Sequence, residues 1–136
     1  MAVVDPHSRD AFRRDLRLAT HAVHSRVVPD RLAAQHRHWQ LWVSFCHQHG
    51  LDPTLRSTSS DFDAVPFLQV FAQRYRSGAI APSRRPVRAR TVEDAVRAVA
   101  QALAAVGSPD PRLNSFGQLD FRLTSLWRAW KRTDPP

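Results

Sequence analysis

Apolar residues recur every three or four positions along most of this 136-residue chain. The clearest run ends at Gly107 and consists of Val92, Val96, Val99, Leu103 and Val106. This spacing places the side chains on one face of an α-helix, whereas a half-buried strand would need strict alternation. No segment alternates for long, and the chain has only four glycines. The periodicity therefore predicts an all-α fold.

Five stretches carry the helical pattern, separated by proline- and glycine-containing turns. The first has an apolar stripe of Phe12, Leu16, Ala19 and Val23, which we expect to face a core. Thr91 is predicted to cap the fourth helix in a capping-box sequence. The predicted helices are 8–26, 30–49, 63–78, 91–106 and 118–132. We expect an N-terminal helical arm (1–29), a bundle of four helices (30–133) and the start of a linker (134–136).

The charge is strongly one-sided. Twenty basic residues face twelve acidic ones, which gives a net charge of +8, and Lys131 is the only lysine. An excess of this size favours a polyanionic partner, with nucleic acid first and an acidic membrane surface second. The arginine guanidinium also offers a planar pair of donors that matches a phosphate group.

Other chemistry is weakly supported. The seven histidines do not combine with cysteines or carboxylates at metal-ligand spacing, so we expect no metal and no cofactor. Tyr75 continues an apolar helix face, and no serine lies in a nucleophile elbow, so an enzyme with a small-molecule substrate is not expected. The single cysteine, Cys46, cannot form an internal disulfide, which favours an intracellular setting.

No membrane role is expected either. No stretch approaches the roughly 20 apolar residues that span a bilayer, and the amphipathic stripes are interpreted as core-facing. The tryptophans lie in two pairs at i, i+3 spacing. They could stack on bases, but we favour packing between the second and last helices, because these positions join apolar stripes. The tryptophan positions are Trp39, Trp42, Trp127 and Trp130.

Arginines concentrate around the predicted start of the fourth helix. Residues 74–97 contain seven arginines, against Glu93 and Asp94 alone. A helix N-terminus stabilises anions, and a merely solvated face would mix both signs of charge. We therefore predict a phosphate-binding corner rather than an inert basic loop. The predicted DNA-binding residues are Arg74, Arg76, Arg84, Arg85, Arg88, Arg90, Thr91 and Arg97.

The order of several segments resembles the N-terminal core-binding domain of the tyrosine recombinases, the phage-integrase family, in the form found in mobile elements. The segments are HWQLWVSFCHQHGLDP (38–53), VPFLQVFAQRYRSG (65–78), RPVRARTVEDAVRAVAQALAAVGSPDPRL (85–113) and LDFRLTSLWRAWKRTDPP (119–136). Together they cover about the last three-quarters of the chain. The first thirty or so residues lie outside the resemblance.

This resemblance implies a SAM-like orthogonal bundle of four helices that clamps one face of double-stranded DNA and can form a homo-oligomer on it. In the family, the catalytic Arg, His and Tyr residues belong to a separate C-terminal domain. We therefore expect a DNA-binding module for recombination or integration that has no catalytic residues of its own. It would be found wherever the DNA is, in a nucleus or a nucleoid.

A helical protein–protein interaction module, derived from a recombinase of a mobile element, is the alternative. Its apolar faces would bind a partner helix or a second copy. Replacing the loop arginines by alanine separates the two hypotheses, because only the first predicts a loss of DNA affinity.

Overall fold

The computed structural model describes residues 6–25, 29–56 and 62–135 and is built from helices. The described residues form five helices, which are α1 (Pro6–Ser25), α2 (Pro29–Gln48), α3 (Val65–Ser77), α4 (Ala89–Ala105) and α5 (Phe121–Thr133). Within the described ranges, extended backbone pairs only at one isolated bridge, between Leu113 and Leu119. The prediction of an all-α chain is confirmed. The finer prediction, a SAM-like orthogonal arrangement, stays a prediction.

The chain divides into two compact units between Ala34 and Gln35, inside α2. The predicted boundary lies a few residues earlier, at 29/30, and stays a prediction. In α1, every residue that the structure describes with its side chain, 7–19, is exposed. Phe12 and Leu16 are 68% and 55% exposed, so the expectation that this stripe faces a core is wrong for them. Val23, predicted to continue the stripe, lies outside the described side chains.

The core of the second unit lies where α3, α4 and α5 pack on one another and on the C-terminal half of α2. The apolar run of α4 supplies four residues that are at most 1% exposed: Val92, Val96, Val99 and Leu103. Removing such side chains from water is the main stabilising contribution of the fold. Val106, the last residue of the predicted run, lies just past the helix and is 45% exposed.

Helix ends follow local chemistry in most places. Pro66 lies in the first turn of α3, where the missing N–H has no intrahelical partner anyway. Gly78 ends α3 in the left-handed conformation (φ +91°), as predicted. A Cβ there would lie 2.8 Å from the carbonyl carbon of Arg85, so any larger residue would collide with the backbone of the following loop.

The tryptophans are packed, but not in the predicted pairing. Trp42 is fully buried and lies edge-on to Phe71 of α3, with 5.4 Å between ring centroids. Trp127 packs on Trp130 within α5, at 5.7 Å. The rings of the two pairs make no contact with each other among the described residues. The α2 and α5 tryptophans therefore join the same core from different sides.

Candidate functional site

The loop between α3 and α4 is short and internally bonded. The N–H of Arg84 donates to the carbonyl of Ala81 at 2.9 Å, and Arg84 adopts a left-handed backbone conformation (φ +58°). Its guanidinium turns back and donates to the carbonyl of Ala79 at 3.1 Å. Arg85, the next residue, is exposed and has no polar side-chain partner among the described residues. Both arginines are exposed, and only the Arg84 side chain closes the loop on itself.

Helix α4 begins two residues earlier than predicted. Arg88 is the N-cap and Ala89 the first helical residue, so Thr91 lies inside the first turn and does not cap the helix. The side chain of Arg88 makes no capping bond. The cap comes from a distant residue instead, because the N–H of Ala89 donates to Oδ2 of Asp134 at 2.7 Å. A carboxylate at this position also interacts favourably with the helix dipole.

Asp134 forms a small network with two of the predicted DNA-binding arginines, and we call the three residues Arg76, Arg88 and Asp134 the clasp. Arg76 pairs with Asp134 at 2.9 Å and lies over the ring of Trp130, 5.1 Å from its centroid. Arg88 donates to the carbonyl of Pro135. The hydrogen bond from Arg76 lowers the pKa of Asp134, with a further contribution from the N–H of Ala89. The anion site at the start of α4 therefore already holds a carboxylate of this chain.

Arg74 is separated from Arg76 although only one residue lies between them. Its guanidinium donates to Nε2 of His49 at 2.6 Å and lies over the ring of Phe45, 5.6 Å from its centroid. Arg74 thus contacts the end of α2, whereas Arg76 contacts the end of α5. The two guanidinium groups therefore have different contact partners, on α2 and on α5.

A crevice between α4 and α5 does bring basic residues together. It consists of two adjoining depressions of about 740 and 240 Å³, which share Glu93, Arg97 and Lys131 as lining residues. Its floor is apolar and includes Leu123 and Trp127. We call the basic residues that line it the basic face: Arg88, Arg90, Arg97, Arg112, Arg128 and Lys131.

The basic residues of this face differ in how firmly they are held. Lys131 pairs with Glu93 at 3.0 Å, and Arg97 pairs with Asp94 at 2.9 Å. The side chains of Lys131 and Arg97 are each about half exposed. Such exposed pairs contribute about 0–1 kcal/mol each, so exchanging the partner costs little.

Arg112, a third basic residue of the face, pairs with Asp110 at 2.8 Å. The pKa of Asp110 is lowered: burial opposes this shift, but the hydrogen bonds from Arg112 outweigh it.

Two arginines of the basic face remain uncommitted. Arg90 and Arg128 are exposed, and neither has an ion pair within the part of the chain that the structure describes. Their guanidinium groups can therefore meet an incoming anion without first breaking an internal contact. Together with Arg97 and Lys131, they give the crevice an excess of positive charge over its three lining carboxylates, Glu93, Asp94 and Asp134.

The structure places half of the eight predicted DNA-binding residues around the crevice. These four residues are Arg88, Arg90, Thr91 and Arg97. Arg84 and Arg85 lie on the preceding loop, and Arg74 and Arg76 lie elsewhere, as described above. Sequence reasoning missed Arg112, Arg128 and Lys131. The only available signal was that Arg128 and Lys131 lie off the apolar stripe of the last helix, which does not tell which helix they face.

No three histidine, cysteine, aspartate or glutamate side chains among the described residues lie close enough to hold a metal ion. Tyr75 is 7% exposed, and burial raises its pKa. Its ring lies edge-on to His38, whose pKa burial lowers. No described helix combines the length and the apolar character that crossing a membrane requires.

Comparison with known proteins adds no assignment. No known protein family, no curated protein and no solved structure matches this chain.

Proposed function

We propose that this chain binds the phosphate backbone of double-stranded DNA through the basic face between α4 and α5. The observation that carries the proposal is the crevice itself, in which basic residues from two helices and the preceding loop line one surface with two uncommitted arginines. Arginine donates two parallel hydrogen bonds to a phosphate, and such contacts fix a protein on DNA without reading its sequence.

The internal ion pairs at the basic face suit this role. Arg97 and Lys131 are held near the crevice by Asp94 and Glu93, and about half of each basic side chain stays exposed. A DNA phosphate can replace the carboxylate in each pair at small cost, because exposed pairs are weak. The clasp differs, because Arg76 is committed to Asp134 and to stacking on Trp130.

The resemblance to recombinase core-binding domains supports the same proposal. On that reading the chain is the DNA-binding module of a recombination or integration protein, without catalytic residues of its own, and acts inside the cell where the DNA is. A homo-oligomer on DNA belongs to the same proposal. The basic face would clamp one side of the duplex.

The test is a titration of a labelled duplex, followed by fluorescence anisotropy at several salt concentrations. Contacts to five or six phosphates give a slope of log K against log salt near −5. Reversing Arg90 and Arg128 to glutamate should lower the affinity at least tenfold and make the slope shallower by about 2.

A matched control keeps the change in net charge equal. Arg13 and Arg14 of α1 are exposed, and neither has an ion pair among the described residues. Reversing these two should leave the salt slope close to that of the wild type. Equal losses in the two double variants, or binding that does not depend on salt, would contradict an interface on the basic face.

A second candidate function, a protein–protein interaction module, is favoured by the exposed apolar side chains of α1, among them Phe12 and Leu18. Self-association that Phe12→Asp abolishes, measured by sedimentation without DNA, would support it. The charge reversals on the basic face would leave that association unchanged.

A further inference from the structure

A tight turn at residues 114–118 holds an aromatic side chain out in solvent. The backbone carbonyl of Asn114 accepts a hydrogen bond from the N–H of Gly117 at 3.0 Å. The backbone N–H of Asn114 donates to the carbonyl of Gln118 at 2.8 Å. The Asn114 side-chain oxygen accepts from the N–H groups of Phe116 and Gln118, at 2.9 and 3.1 Å. Gly117 supplies the left-handed residue (φ +74°) that the turn needs.

At the tip of this turn Phe116 is 85% exposed, the most exposed large apolar side chain among the described residues. Phe121, which begins α5 three residues after the turn, is 74% exposed. Burial of a phenylalanine ring is normally favourable, so a partner that covers these exposed rings would gain binding free energy. A preformed turn also loses little conformational freedom on binding.

The two stems of the turn connect it to the basic face. Arg112 precedes the turn and Leu119 follows it, and both line the crevice together with Arg97 and Arg128. Leu113 and Leu119 pair across the stems in the isolated bridge, so the tip extends a few residues beyond stems that reach the crevice. A polyanion bound along the basic face would pass the base of this turn.

We propose that Phe116 is a stacking surface for an unpaired base, so that the preferred ligand is duplex DNA that contains a bulged or flipped-out nucleotide. This inference rests on the proposed function and adds the substrate class to it. Complementary charge selects nucleic acid as the occupant, because the stems line a basic crevice. A base has an apolar face that stacks on an aromatic ring and phosphates that bind arginine, and a smooth duplex exposes only the phosphates.

The test compares two labelled duplexes of equal length, one fully paired and one with a single bulged 2-aminopurine. Wild-type protein should bind the bulged duplex about tenfold more tightly and should quench 2-aminopurine fluorescence. Phe116→Ala should lose both effects while keeping its affinity for the paired duplex and its salt slope, because stacking releases no counterions. The far-ultraviolet circular dichroism spectrum of the variant should match that of the wild type.

Further variants separate stacking from general apolar contact. Phe116→Trp should keep the preference for the bulge, and Phe116→Leu, which keeps an apolar side chain without the ring, should lose it. Phe12→Ala removes another exposed phenylalanine, 68% exposed on α1, and should change nothing.

Three results would overturn the inference: equal affinity of the wild type for the two duplexes, full retention of the preference by Phe116→Leu, or self-association that Phe116→Ala abolishes. The last would make the tip an interface between copies of the chain. Salt-dependent binding of the paired duplex without a bulge preference leaves the proposed function standing. If neither duplex binds, both the stacking inference and the proposed DNA-binding function are wrong.

Discussion

Helices α1 and α4 have the same kind of sequence and different surroundings. Each has an apolar stripe at helical spacing and arginines on its polar face. In α4 the stripe is almost completely buried, from Val92 to Leu103. In α1 the described stripe residues Phe12, Leu16 and Ala19 are exposed. An amphipathic pattern thus reports that a face is apolar, and it does not report whether anything covers that face.

Their arginines differ in the same way. Arg97 of α4 pairs with Asp94 one turn earlier and lines the crevice shared with α5. The α1 arginines, Arg9, Arg13, Arg14 and Arg17, have no ion pairs among the described residues. Positive charge becomes a defined surface only where packing places arginines from several elements together.

The largest expected effect is on stability and uses one matched pair of substitutions. Leu103→Ala in α4 removes a fully buried side chain and should lower the free energy of unfolding by about 3 kcal/mol. Leu18→Ala in α1, where the side chain is 61% exposed, should change it by less than about 0.5 kcal/mol. Chemical denaturation followed by far-ultraviolet circular dichroism, which reports the helices of both units, measures both. Equal losses would mean that α1 is as firmly packed as α4.

The second-largest expected effect is the loss of stability of the second unit in acid. The pKa values of four aspartates are lowered there, so their folded-state values lie below the unfolded value of about 3.9. Their stabilisation is complete above the unfolded pKa and is lost as the pH falls towards the folded one. The residues are Asp63, Asp110, Asp120 and Asp134.

The measurement is a tryptophan-fluorescence melt between pH 6 and pH 2. All four tryptophans lie in the second unit, so the signal reports that unit alone. The midpoint should fall steeply below about pH 4. A midpoint that rises on acidification would contradict the assignment of these carboxylates as stabilising groups.

A smaller loss is expected from the clasp. Asp134→Asn removes the charge that pairs with Arg76 and interacts with the α4 dipole, and should lower the thermal midpoint by a few degrees. Asp15→Asn in α1 removes the same charge from an exposed residue without an ion pair among the described residues, and should leave the midpoint unchanged. If both variants melt like the wild type, the clasp does not stabilise α4.

The smallest expected effect is on the rate at which the Cys46 thiol reacts. Burial raises the pKa of this thiol to about 12, so the reactive thiolate is scarce at neutral pH. Native protein should react with a thiol reagent far more slowly than unfolded protein. Leu103→Ala should accelerate the reaction and Leu18→Ala should not, because only the first removes a side chain from the core that contains the thiol. Rapid labelling of the native wild type would contradict this burial.

Sequence reasoning was accurate where the cause of a structure is local. It identified the five helices found in the described part of the chain, the tolerated Pro66 and the stop at Gly78, because each depends on residues a few positions apart. It was wrong about the start of α4, where a threonine with capping chemistry lies in the first turn. The actual cap, Asp134, is 45 residues from the N–H that it accepts, and no local pattern carries that information.

In the candidate site, too, the sequence predicts what depends on nearby residues and not what depends on distant ones. The sequence predicted DNA-binding residues around the start of α4, and the structure places four of them along the crevice; their role in binding DNA stays a prediction. It could not separate Arg74 from Arg76 or add Arg128 and Lys131, because these depend on which helix each side chain meets. The assignment of Arg76 to a structural contact with Asp134 and Trp130 is also a result of tertiary packing.

By itself, the sequence determined that this chain is helical, basic and able to build one apolar core, because periodicity and composition act through local sterics and total charge. Only the tertiary structure decided which apolar stripe is covered and which arginines form ion pairs with carboxylates of the same chain. It also placed the two uncommitted arginines, Arg90 and Arg128, along one crevice. The physical reason is that burial and ion pairing depend on distances between residues far apart in the chain, and those distances exist only once the helices have packed.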